Sequence, residues 1–232
     1  MSEWWTYSLT SFLLFSPRTY YRTIELYNLA IWPAQLAGAA IGLAILALIV
    51  GRRGRREQIV AALLAACWLW IAWAFHYQRY AQINWAAPWF AAAFAIQALL
   101  LVATGVLARR IVLQPSGGCK FWIAISLVAI TVVGYPLLAR LAGRPWTTAE
   151  TFGVTADPTA IATVAALGLG RGRIRWALLV IPLLWAMVSA ATLWAMDAPE
   201  AGVVACATLL ALLPVARLRG AASKERAPND VR

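Results

Sequence analysis

The sequence predicts an all-α membrane protein, a bundle of seven transmembrane helices with its N-terminus outside and its C-terminus inside. An interfacial amphipathic helix precedes the bundle, and its fifth helix is short and broken. Three observations lead there. Of 232 residues, 62% are hydrophobic and only 12% charged, whereas a soluble domain carries roughly 25% charged residues. With a mean hydropathy of +0.72, the chain has too little polar surface to cover a water-soluble fold. The apolar residues also fall in long blocks, and the lysines and arginines gather in alternate connections between them. The chain divides into an aromatic interfacial segment at 1–29, a seven-helix domain at 30–216 and a basic tail at 217–232.

The first segment carries Trp4, Trp5, Tyr7, Phe12 and Phe15, residue types that collect where headgroups meet hydrocarbon. Ser16-Pro17 then reads as an N-cap followed by proline at the first helical position. A helix from there sets Arg18, Arg22 and Glu25 on one face and Tyr20, Ile24, Tyr27 and Ile31 on the other. That is the pattern of a helix lying on a membrane surface. Pro33 interrupts it before the first span.

A spanning helix needs about 20 mostly apolar residues. Stretches 31–50, 59–78, 86–108, 121–139 and 176–196 qualify, and 201–216 is at the short edge. A seventh, 158–170, is shorter still, and the positive charges decide whether it crosses. Cytoplasmic loops hold an excess of Lys and Arg. With 158–170 crossing and the N-terminus outside, 15 of the 20 basic residues share one side: Arg52, Arg53, Arg55, Arg56, Arg109, Arg110, Lys120, Arg171, Arg173, Arg175, Arg217, Arg219, Lys224, Arg226 and Arg232. Arg18, Arg22, Arg79, Arg140 and Arg144 take the other. If 158–170 turned back, most of the positive charge would lie outside. The net charge of +11 is therefore an orientation signal. It implies anionic lipid at the cytoplasmic loops as a partner and no nucleic acid. Cys67 and Cys206 fall within spans and Cys119 in a cytoplasmic loop, which offers no disulfide framework. The segment before Ser16 lacks the basic start of a cleavable signal peptide.

The fifth stretch is the most informative. Thirteen residues reach about 20 Å at 1.5 Å each, against a hydrocarbon core of about 30 Å. Either the bilayer thins there, or residues 147–157 enter the membrane without helical structure. Irregular backbone at that depth must be buried in protein or line a wet cavity. Asp157-Pro158 marks the helix start, which makes Asp157 an N-cap, a cation or proton site, or both.

Several runs resemble a known family. They are Trp5-Thr6-Tyr7-Ser8-Leu9, Phe12-Leu13-Leu14-Phe15-Ser16-Pro17, Glu25-Leu26-Tyr27-Asn28, Trp32-Pro33-Ala34-Gln35, Phe75-His76-Tyr77, Ile83-Asn84-Trp85-Ala86-Ala87 and Phe152-Gly153. Together they resemble an uncharacterised bacterial family of multi-span inner-membrane proteins, a domain of unknown function, over nearly the whole chain. The resemblance implies an inner-membrane location and supports the topology, but it supplies no activity. It also implies that many members carry a cysteine where Asp157 precedes Pro158-Thr159, so cysteine chemistry at that position does not carry over.

Five residues are candidates for a substrate-binding site on the outer side: Asp157, His76, Asn84, Tyr135 and Glu25. An ionisable group inside a membrane is a functional candidate by default, and His76 is the only histidine. The blander readings are an interfacial histidine, a surface pair of Glu25 with Arg22 at i, i+3, and Asn28 and Asn84 as caps or interhelical glue. Trp32, Trp85, Trp122, Trp146, Trp176 and Trp194 lie at span ends as belt anchors. Trp68, Trp70 and Trp73 line a pocket or face lipid. One histidine and three scattered cysteines supply no closed metal site, and no cofactor is implied. Lys120 and Lys224 lie outside the spans, which excludes a buried Schiff-base lysine, and HExxH, GxSxG and P-loop sequences are absent. Three functions remain open. The first is transport of a small molecule or ion through a site at the start of the fifth helix, because broken helices build such sites. The second is an intramembrane enzyme acting on a lipid or isoprenoid. The third is a non-catalytic subunit that docks a protein partner through its aromatic beginning.

Overall fold

Every long apolar stretch forms helix, and the breaks between them fall at proline, glycine and basic residues. The computed structural model describes residues 15–51, 54–113 and 118–215. The aromatic positions before Phe15 and the basic tail lie outside the described residues. Helix α1 (Pro17–Ala30) starts as expected: Ser16 Oγ accepts from the Thr19 amide at 3.2 Å, with Pro17 in the first turn. Its Tyr20, Ile24 and Tyr27 are buried. After the break at Pro33 the chain turns by 88° into α2 (Ala34–Val50).

Helix α3 (Arg56–Trp70) runs on as a π-helical stretch, Ile71–Tyr77. α4 (Ala87–Leu101) continues the same way through Val102–Leu107, and α5 (Cys119–Ala129) through Ile130–Gly134. A short α6 (Leu137–Leu141) follows. Then come α7 (Ala156–Gly168), α8 (Ile174–Ala195) and α9 (Glu200–Leu212). Pro182 sits within α8. No β-strand forms among the described residues apart from one antiparallel bridge between Leu113 and Gly170.

All thirteen residues of α7 are buried, so this short helix is the centre of the bundle. Its two ends lie at opposite ends of the molecule. Beyond its C-terminus, the Arg171 amide donates to Val112 O at 3.0 Å. Arg175 donates to Gly170 O and Val215 O, and Arg56 to Leu113 O. The basic connections thus converge at one end. Ahead of its N-terminus, residues 149–155 run non-helically and largely buried under α1. Tyr27 Oη donates to Val154 O at 2.7 Å, and Asn28 Nδ2 to Thr147 O and Ala149 O, each at 2.8 Å. Two glycines permit this wedge. A Cβ on Gly38 would overlap the Phe152 carbonyl oxygen, and Gly153 sits at φ +84° against Gly38.

The span count is met only in part, and one expectation needs correction. Three helical runs, Arg56–Gln82, Ala87–Leu107 and Ile174–Ala195, are long and apolar enough to cross a membrane, or four if α1 and α2 form one bent span. Length and composition therefore support three or four spans among the described residues, against the seven read from sequence. Cys119–Gly134 and α9 are too short for a core of about 30 Å, and so is α7, which has the same 13 residues as α9. Asp157, moreover, is not the N-cap of its helix. Thr155 holds that position, in extended backbone and with no side-chain capping bond. The Asp157 carboxylate turns away from its own helix end.

The surface between the two ends is apolar. Leu36, Leu43, Leu99, Leu141, Met187 and Leu209 are each more than half exposed. The six span-end tryptophans are exposed by 53–72%.

Candidate functional site

The first turn of α7 holds Asp157 against α8. Trp185 Nε1 donates to its Oδ1 at 2.8 Å, and Ser189 Oγ donates to its Oδ2 at 2.6 Å. Trp185 and Ser189 are four residues apart and so share a helix face. The Tyr135 hydroxyl, from the turn after the α5 π-helical stretch, is directed at the same carboxyl. Asp157 is 3% exposed. Its hydrogen-bond donors are neutral, and no Lys or Arg pairs with it among the described residues.

His76 is fully buried one ring away. Its ring centroid lies 4.8 Å from Trp185 and 4.4 Å from Phe94, both edge-on, with Phe75, Phe90 and Tyr80 completing an aromatic cage. Neither imidazole nitrogen has a hydrogen-bond partner. Buried polar atoms in this condition are rare.

Behind Asp157, towards α1, lies a second polar group of residues. Arg144 pairs with Glu200, and its guanidinium sits 3.8 Å over the Tyr21 ring. Glu150 lines the same small cavity as this pair and feels the charge of Asp157. Burial, and then repulsion from Asp157, push the Glu150 carboxyl well above the ordinary carboxylate range, with Arg144 opposing. Glu150, Glu200, Arg144, Tyr21 and Tyr135 line a cavity of about 10 Å³, room for a single water-sized species. Glu200 Oε2 is buried without a partner.

The structure brings Asp157 and Tyr135 together and places His76 behind Trp185. Asn84 lies further off. Its Oδ1 accepts from the Ala86 amide at 2.9 Å, ahead of α4, and its side chain reaches Tyr80. Glu25 is apart from the cluster. It pairs with Arg22 at 2.7 Å and accepts from Thr147 Oγ1, on the wall of an open groove of about 810 Å³. The sequence reading missed Trp185, Ser189, Glu150, Glu200 and Arg144.

It also missed a threonine ladder on α7. Thr155, Thr159 and Thr163 each return a hydroxyl to the carbonyl four residues earlier, at 2.7–3.0 Å. Thr159 also accepts from the Gly153 amide, and Thr163 from Trp68 Nε1. Threonine at every fourth position of an apolar stretch was a visible signal for this polar stripe.

No curated protein and no solved structure matches the chain. A model described as a family of unknown function, DUF6064, matches residues 18–225. With the match covering nearly the whole sequence, the chain belongs to that family of unknown function.

Proposed function

We propose that this protein spans a bacterial inner membrane seven times, N-terminus outside, and carries protons across it through Asp157. The observation that carries the reading is a carboxylate 3% exposed in the central helix and held by neutral donors alone. An intramembrane acid of this kind marks ion and proton paths. Without an ion-pair partner it can gain and lose a proton and leave no basic group unpaired. Glu150 and the water-sized cavity beside Glu200 and Tyr21 lead from it to the face covered by α1. On the other side, the threonine hydroxyls continue along α7 towards Trp68.

The topology has its own support. The seven stretches are all helical, the two ends of α7 meet opposite ends of the bundle, and the basic loops gather at one of them. The 88° turn between α1 and α2 suits a surface helix entering a span. The exposed tryptophans and leucines suit lipid rather than water. Of the short helices, α7 would then cross where protein, not lipid, surrounds it, because all of its residues are buried.

The test uses proteoliposomes with a pH-sensitive dye trapped inside and a potassium–valinomycin potential. Wild-type protein should admit protons at least tenfold faster than the Asp157→Asn variant, and Glu150→Gln should lie between them. Wild-type flux equal to that of protein-free liposomes would overturn the proposal.

A further inference from the structure

A second site lies at the corner of α1 and α2, across the 146–148 turn from the charged groove. It is a cavity of about 310 Å³ lined by Leu29, Trp32, Pro136 and Trp146, with Asn28, Gln35 and Thr151 at its polar edge. That volume is at the lower limit of small-ligand pockets. None of the lining residues is charged.

Three oxygens on this polar edge are buried and have no hydrogen-bond partner: Asn28 Oδ1, Gln35 Oε1 and Thr151 Oγ1. Neither amide can turn to relieve this. Asn28 Nδ2 is committed to Thr147 O and Ala149 O, and Gln35 Nε2 donates to Asn28 O at 2.7 Å. Flipping either amide would set oxygen against carbonyl oxygen. The edge therefore presents acceptors by construction, and Asn28 is only 7% exposed. Beside them stand two indoles, Trp32 and Trp146, each more than half exposed.

We infer that this cavity holds the primary ammonium headgroup of an aminophospholipid from the outer leaflet. A –NH₃⁺ group carries three donors and no acceptor, which matches three acceptor oxygens. Indole faces add cation–π attraction. Tryptophan also anchors at headgroup depth, where such a lipid presents its amine. Of these three oxygens the two amide ones can only accept, and the Thr151 hydroxyl alone can also donate, so the edge favours the amine over a phosphate or carboxylate. The occupant rests on the membrane reading above but not on proton movement, and its test is read without any flux.

The experiment is native mass spectrometry of the detergent-purified chain. The protein is offered phosphatidylethanolamine, phosphatidylcholine or phosphatidylglycerol of identical acyl chains. Phosphatidylcholine keeps the phosphate and the positive charge but replaces every N–H by methyl. Wild-type protein should retain phosphatidylethanolamine at least fivefold over both others. Gln35→Leu and the near-isosteric Thr151→Val should each lose most of that preference. Thr151→Val keeps the Thr151 carbonyl that Thr155 uses, so it reports even where Gln35→Leu fails to fold. Equal retention of the ethanolamine and choline lipids, or a preference untouched by Thr151→Val, would overturn the inference. Displacement by an equal concentration of free ethanolamine would overturn the lipid as occupant.

Discussion

His76 is unusual for a buried histidine because both its nitrogens are unpartnered within an aromatic cage. A ring of similar size without nitrogens suits that cage better. His76→Phe should therefore raise the thermal unfolding midpoint in detergent, by about 1–3 kcal/mol of stability, the cost of leaving a buried polar group unmatched. If its proton flux falls while its stability rises, the imidazole is kept for work and not for packing. Glu150 gives a pH test. Its folded-state pKa is raised by burial and by Asp157, so the folded chain favours the protonated form. The resulting stability is complete below the ordinary carboxylate value and is lost as pH rises through the raised one. Wild-type stability should fall relative to Glu150→Gln as pH climbs from about 4.5 towards alkaline values. Parallel profiles for the two proteins would remove Glu150 from the titrating cluster. His76, Asp157 and Tyr135 were legible in the sequence because ionisable and phenolic groups stand out in apolar stretches. Trp185 and Ser189 were not, since a tryptophan and a serine in a span look like belt and glue until the helix that faces them is known.

At the scale of elements, the approach of α2 to residues 152–153 decides where Asp157 sits. Gly38 touches backbone there, which cannot swing aside as a side-chain tip can. Gly38→Ala should cost about 1–3 kcal/mol through overpacking. Gly202, in α9, has open space around it. Gly202→Ala should be neutral or gain up to about 1 kcal/mol in helix propensity. Thermal unfolding of the pair in one detergent checks both, and equal midpoints would mean that the α2 contact is loose. The break at Pro33 and the start of α1 at Ser16-Pro17 were readable from proline geometry and capping alone. The true cap of α7 was not. Asp157-Pro158 has the composition of a helix opening, but α8 offers the carboxylate two strong donors, and these outcompete the free amides of its own first turn.

At the scale of the whole molecule, Cys119 is a natural reporter of orientation. It is exposed at the start of α5, among the basic connections, while Cys67 is buried. In a Cys206→Ala background, a membrane-impermeant maleimide should label Cys119 in inverted vesicles and leave it at least tenfold less labelled in right-side-out ones. Labelling from the outside would reverse the topology. A four-span arrangement also places three crossings before Cys119, so the labelling reads orientation and not the number of spans.

The sequence by itself determined the helical class, the apolar blocks and the sorting of basic residues, because each depends on local composition and on period along one chain. It also singled out the stretch after Asp157 as too short to span alone. Tertiary structure decided that this stretch is the fully enclosed centre of the bundle and that residues 149–155 are sealed beneath α1. It also decided that Asp157 faces α8, with Glu150 and the Arg144–Glu200 pair behind it. Those relations join residues tens of positions apart, and only helix packing, through close contacts such as Gly38 on Phe152, sets which of them meet.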